Sequence, residues 1–115
     1  MYITSLESAP KTKMEMEGAY KVFKQIPLSA KHGAPTYSFR VFTIEPGGHT
    51  PLHSHDNEHM NYIIGGSGHL VVQGKHYSVK KGDFALVLPG EEHQYRNSSA
   101  DEPMVMICAV PKEYE

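Results

Sequence analysis

An all-β fold is predicted for this chain of 115 residues by three observations. Eight short runs rich in Val, Ile, Phe and Tyr follow one another at roughly even spacing. Each run is closed by Gly, Pro or Asn chemistry that favours turns. No stretch of 12 residues free of Gly or Pro shows helical periodicity. Short strands in such number predict a closed or double-sheet structure, because an open sheet leaves unpaired edges that a barrel or jelly roll largely removes.

Taken in order, residues 1–18 are mixed and polar, with a break at Pro10-Lys11, and read as an N-terminal arm. Residues 19–115 read as one barrel domain, since no repeat, low-complexity segment or linker divides them. The expected strands are Tyr20–Ile26, Thr36–Glu45, His59–Ile64, His69–Gln73, His76–Val79, Phe84–Leu88, His93–Asn97 and Met104–Val110. Their breaks are Pro46-Gly47-Gly48, Gly65-Gly66-Ser67-Gly68, Gln73-Gly74, Lys81-Gly82-Asp83, Pro89-Gly90 and Asn97-Ser98-Ser99. Apolar–polar alternation is weak in Val71-Val72 and in Phe84–Leu88. Those segments are expected to be covered on both sides, by a partner sheet or by another subunit.

Composition excludes several function classes. A formal charge of −2 and a pI near 6.4 give no basic footprint for nucleic acid. No Lys/Arg-rich amphipathic stretch suggests a membrane surface, and no apolar run approaches the ~20 residues that span a bilayer. The segment Met1–Glu7 has neither the basic nor the apolar region of a signal peptide, and the single cysteine, Cys108, excludes an internal disulfide. A cytoplasmic location is the expectation.

Histidine is the outlier, with eight in the chain. Four fall into two segments, His53-Ser54-His55-Asp56-Asn57-Glu58-His59 and Pro89-Gly90-Glu91-Glu92-His93. His53 and His55 are two apart, which on a strand puts both imidazoles on one face. His93 arrives from a distant part of the chain. Three close ligands and one remote ligand suit a metal held between neighbouring strands, and imidazole is the commonest protein ligand for first-row transition metals. Glu58 competes with His59 for the third position. Alternation along a strand means that only one of them faces the metal, and parity favours His59.

Around these residues the chain resembles the cupins. Gly47, His53, His55 and Gly66 fall on the first cupin motif, with His59 where a Glu is usual; Gly82, Gly90, His93 and Asn97 fall on the second, with Leu88 at the proline position and Pro89 one place later. The resemblance implies a cupin double-stranded β-helix, a jelly-roll barrel, and extends from about Tyr20 to Pro111. It also implies a metal site of His53, His55, His59 and His93, the all-histidine form found in a subgroup of small single-domain cupins. Such a site leaves two adjacent coordination positions for water, substrate or O₂. Four neutral nitrogens suit Mn, Fe, Co, Ni, Cu or Zn rather than Mg or Ca, and the resemblance favours Mn or Fe. Small cupins usually pair, so a homodimer is expected, using Phe84–Leu88 and the arm.

Among the other residues, Tyr95 shares the parity of His93 and is a candidate to donate a hydrogen bond to a bound ligand. Arg40 interrupts the apolar run Tyr37–Phe42, either at an exposed edge or held inside as an anion partner. Cys108 shares a parity with Met104, Met106 and Val110; its apolar neighbours argue against a nucleophile. His32, His69 and His76 read as ordinary solvated histidines, and His49 as one that could reach the cavity mouth. Glu91 and Glu92 read as rim charges. Related cupins include dioxygenases, decarboxylases and isomerases, so the resemblance implies a metal-dependent enzyme acting on a small carboxylate or enolic molecule. A non-catalytic metal- or ligand-binding or sensor module is the alternative.

Overall fold

The longest strand, β3 (Tyr37–His49), organises the molecule because it changes partners along its length. In the computed structural model, which describes every residue from Met1 to Glu115, its first half pairs with β9 (Met104–Pro111) on one side and β2 (Tyr20–Leu28) on the other. Its last residue, His49, pairs with Arg96 of β8 (His93–Arg96). Pro46-Gly47-Gly48 makes the bend between the two halves. Gly47 has φ +79°, in the region that glycine enters freely. The Gly47 N–H donates to Asn97 O at 2.9 Å, and the Asn97 N–H donates to Gly48 O at 2.9 Å. The ladder therefore continues through a corner whose turn chemistry predicts a break, and the sheet curls.

The remaining strands are β4 (His59–Gly65), β5 (Ser67–Val72), β6 (Lys75–Lys80) and β7 (Phe84–Val87). All pairings are antiparallel, and the order across the sheet is β6-β5-β8-β3-β9-β4-β7. All eight expected strands are present, displaced by a few residues at their ends. Helical structure is limited to three 3₁₀ turns of three residues, Leu6–Ser8, Ala30–His32 and Lys112–Tyr114. Within residues 1–18 a two-residue strand, β1 (Thr12–Lys13), pairs with β2, and Gln25 Nε2 ties the chain down by donating to Leu6 O and Ala9 O.

Alternation along each strand sends one set of side chains inward. Val22, Phe42, Ile44, Ile63, Leu70, Met104, Met106 and Val110 are among the buried residues that fill the barrel. Each fully buried aliphatic side chain of this size contributes roughly 1.5–3 kcal/mol. The connection between β4 and β5 is tight: a Cβ on Gly66, where φ is +72°, would sit 2.1 Å from Pro103 O, so only glycine fits. Asn97 anchors the far side, with Nδ2 donating to Ile44 O and Glu102 O, both at 2.8 Å. Of the two segments with weak alternation, Val71 is buried and Val72 half-buried. Strand β7 differs: Val87 is buried whereas Phe84 and Leu86 face solvent. Within one chain it is covered on a single face.

Candidate metal centre

Three elements bring the site histidines together at one end of the barrel. His53 and His93 form an isolated antiparallel bridge, the His93 N–H donating to His53 O at 2.9 Å and the His53 N–H to His93 O at 3.2 Å. The Gly90 N–H donates to His55 O at 2.9 Å, which docks the Pro89-Gly90 turn against the first histidine segment. His59 opens β4, where it pairs with Val87, while Glu58 beside it is exposed. His59 thus faces the cavity and Glu58 faces solvent.

One donor atom from each of His53, His55 and His93 lies within 4.8 Å of the others, a possible three-histidine metal site. Donors sharing one ion at ~2.1 Å lie at most ~4.2 Å apart, so the trio needs only a small inward movement. The tautomers are set by backbone carbonyls. His55 Nδ1–H donates to Asn57 O at 2.7 Å and His93 Nδ1–H to Glu91 O at 2.8 Å, leaving the Nε2 lone pair of each for a ligand. His55 Nε2 is buried without a partner, a cost that a bound metal would remove. The donor set thus fits a divalent metal.

The His59 ring packs against His55 with centroids 4.1 Å apart and against His93 at 5.2 Å, so the four imidazoles share one cluster. Burial, followed by the neighbouring His55 and Arg40, pushes the His59 pKa down to about 3. His53 and His93 are also held below the usual histidine range, chiefly by burial. These three rings are therefore neutral near pH 7, the form that ligates.

The histidines line a cavity of about 300 Å³ with Lys24, Arg40, Phe42, Asn61, Tyr95 and Met106 among its other walls. Arg40 lies inside the barrel and is 8% exposed, which resolves the two placements its sequence left open. Its Nη2 donates to Cys108 Sγ at 2.9 Å and lies 3.5 Å from His59 Nε2. Register explains the grouping, since Arg40, Cys108 and Asn61 face one another across β3, β9 and β4. The Arg40 Nε is buried without a partner. Tyr95 is buried and donates its hydroxyl proton to Asn61 Oδ1 at 2.9 Å; burial, and then Cys108, push its pKa up.

Lys24 and Asn61 were not singled out in the sequence. Asn61 is two residues from His59 and Lys24 two from Val22, so parity held the signal for both. Burial, followed by Arg40, pulls the Lys24 pKa down. His49 does not reach the cavity; its ring lies beside Tyr20 and Gln94. His32 caps the 3₁₀ turn at Ser29, and His69 and His76 stand near each other on the β5–β6 hairpin. Glu91 Oε1 accepts from the Leu88 N–H at 2.8 Å, a turn contact away from the cavity.

Comparison with known proteins agrees with this fold. A 1-methylthio-D-xylulose 5-phosphate methylsulfurylase of Rhodospirillum rubrum is 33% identical over 78 residues, 68% of this chain and 49% of that protein. The chain thus spans about half the length of that relative. Among solved structures, the polyketide cyclase RemF from Streptomyces resistomycificus superposes with a TM-score of 0.91 at 24% identity, over 97% of this chain and 80% of its own. A cupin-2 domain from Rhodospirillum rubrum superposes with a TM-score of 0.77 at 29% identity, covering 90% and 68% of the two chains. Residues 40–110 match the Cupin domain family, and with its jelly-roll fold and clustered histidines the chain belongs to the cupins.

Proposed function

We propose that this protein is a metal-dependent enzyme acting on a small carboxylate or enolic molecule. The observation that carries this reading is the charge of the cavity: four histidines, Lys24 and Arg40 line it, and no Asp or Glu does. The ion pair Lys80–Asp83 lies elsewhere, and Lys24 Nζ donates to Glu115 O at 2.8 Å, so of the two cavity cations it is Arg40 that has no carboxylate partner. An unpaired buried guanidinium is costly unless something anionic completes it. A ligand carboxylate or enolate against Arg40 would supply the missing acceptor for Nε. Met14, Met16, Phe42 and Met106 form apolar walls that exclude water and strengthen such a contact.

His53, His55 and His93 would hold the metal, with His59 as fourth ligand after a small turn of its ring away from Arg40. Manganese or iron is favoured by the family, with Zn, Ni, Co and Cu also compatible with nitrogen donors. A bound ion would supply Lewis acidity towards an anionic oxygen, undiminished by any first-layer carboxylate. Tyr95 keeps its proton and acts as a hydrogen-bond donor that fixes Asn61, not as a base. The relative from Rhodospirillum rubrum carries a sugar phosphate in its name, which agrees with an anionic ligand.

A non-catalytic binding or sensor module is the second reading, and one observation favours it: no carboxylate stands in the cavity to act as general acid or base. The deciding experiment is metal analysis of protein purified without chelator or nickel resin. It is followed by calorimetric titration and an O₂-uptake and turnover screen with small carboxylates and enolisable keto acids. Stoichiometric metal with turnover is the expected result. Tight binding without turnover would select the second reading, and metal-free protein that binds none of these ligands would overturn both.

A further inference from the structure

The turn after β9 lies across the mouth of the metal cavity and engages both of its cations. Tyr114 lines the cavity while half of its surface is open to solvent, so it forms part of the rim. The Tyr114 carbonyl accepts from Arg40 Nη1 at 3.5 Å, and the Glu115 carbonyl accepts from Lys24 Nζ at 2.8 Å. The Ser38 hydroxyl donates to Glu115 Oε2 as a third clasp. Ahead of them the Lys112 N–H donates to Thr36 O at 2.9 Å, directly after β9 ends at Pro111. Residues 112–115 are all exposed, and the bond that closes the turn, Glu115 N–H to Lys112 O, is long at 3.4 Å. Beyond Lys112 the segment is held mainly by side-chain hydrogen bonds, without a strand ladder or a buried apolar face. Such an attachment opens at little cost.

A second hollow lies on the other side of this contact. Its volume is about 380 Å³, and Thr12, Lys24, Lys31, His32 and Glu115 are among its walls. Lys24 is the one residue that lines both this hollow and the metal cavity, so the Lys24–Glu115 hydrogen bond stands in the partition between them. Glu115 is the only acid of the outer hollow. Once it swings away, two lysines and no carboxylate border that approach, which favours an incoming anion. The carbonyls of Tyr114 and Glu115 meanwhile occupy donors that a ligand carboxylate would take. Attraction between full opposite charges adds to the hydrogen bond that a neutral carbonyl accepts, so an anion displaces the carbonyls.

We propose that residues 112–115 are a displaceable strap over the cavity mouth, held on Arg40 and Lys24 until the carboxylate of an incoming ligand takes those two cations. The inference rests on the reading of the cavity as a carboxylate site. Strap and ligand compete for the same donors, so each weakens the other by the same factor.

The test uses the metal-loaded full chain with a nitroxide on Glu113→Cys, which is exposed and touches neither cation, while Cys108 is fully buried and stays unlabelled. Electron paramagnetic resonance reads the motion of the turn, calorimetry reads the binding of pyruvate, and circular dichroism with elemental analysis checks fold and metal content. The label should be restrained without pyruvate and become mobile along the same saturation curve that calorimetry gives. Glu115→Ala removes the Ser38 clasp and touches no wall of the metal cavity. It should free the label partly before any ligand is added and bind pyruvate about 2- to 10-fold more tightly, the worth of one hydrogen bond that no longer has to be displaced. Pyruvate binding with the label still restrained would overturn the strap and leave the carboxylate site standing. So would a label already fully mobile in the ligand-free chain, or unchanged affinity in Glu115→Ala. Pyruvate binding to neither chain would overturn the carboxylate reading and the strap with it.

Discussion

Arg40 Nη2 lies 3.5 Å from His59 Nε2, so the one arginine of the cavity abuts a candidate metal ligand. A cation in that place has a function in binding and a cost in folding. A buried charge that lacks a carboxylate carries a desolvation cost, and an apolar residue of similar volume removes that cost while keeping the packing. Arg40→Met should therefore melt at the same temperature as wild type or a few degrees higher. It should bind small carboxylates about 10- to 100-fold more weakly, the worth of a hydrogen bond to a charged group at ~1.5–3 kcal/mol. Calorimetry against scanning fluorimetry separates the two effects. A variant that loses stability and metal together would mark Arg40 as structural.

His59 is the residue at which this chain departs from the usual cupin ligand set. His59→Ala should lower metal affinity by more than ~100-fold, beyond the 10–100-fold typical of losing a supporting contact. His59→Glu should retain metal, since a carboxylate ligates at the same position, while lowering the charge at the ion. Glu58→Ala should keep the metal content of wild type because that side chain points to solvent. Elemental analysis of the three variants checks the assignment. Metal lost from the Glu58 variant and kept by His59→Ala would reverse it.

Acid should weaken the fold in a definite window. In the unfolded chain His59 takes up a proton near pH 6.5, whereas in the folded protein it resists protonation until about 3. The unfolded state therefore binds more protons between those values, and stability rises with pH across them. The contribution is complete above about 6.5 and is lost progressively as pH falls towards 3. His53 and His93, lowered in the same direction, add to the slope. Urea titrations of chelated protein between pH 7.5 and 4 should show a falling midpoint, and His59→Ala should flatten the curve. An unchanged midpoint over that range would count against buried neutral imidazoles.

Tyr95→Phe removes the donor to Asn61 Oδ1 and leaves that buried oxygen without its 2.9 Å partner. An unsatisfied buried acceptor costs about 1–3 kcal/mol, so a lower melting temperature is expected with metal content unchanged. If Asn61 also orients bound ligand, affinity for a carboxylate should fall in the same variant. Loss of metal would instead place Tyr95 closer to the ion than its hydrogen bond indicates.

Much of the architecture was legible in the amino acids because β-strands advertise themselves locally. Most strands from Tyr20 onward are rich in Val, Ile, Phe or Tyr with turn residues beside them, β8 with its single Tyr95 being the exception, and the spacing of His53, His55 and His93 put the cluster within reach. What escaped depends on contacts between distant segments. Pro46-Gly47-Gly48 reads as a break, yet Asn97 pairs with its backbone and carries β3 on to His49. Arg40 was ambiguous because one charge in an apolar run fits an edge as well as a pocket. Only its register opposite Cys108 decides. Lys24 escaped because a lysine on a peripheral strand reads as solvated, whereas its opposition to Phe42 turns it towards the cavity.

Strand β4 carries His59 and Asn61 towards the cavity and Met60 and Tyr62 away from it. The consequence is a constraint on the register of β4 itself. Slipping the strand by one residue against β7 and β9 would interchange its two sides, presenting methionine and tyrosine to the other histidines and imidazole to the outside. Substitutions on this strand can thus retune one side at a time, while a one-residue slip would disable both at once. The loop of residues 56–58 lies outside the strand and can absorb a change of length, so the phase of the site is set by the pairing of β4 with its two neighbours and not by the step from His55 to His59.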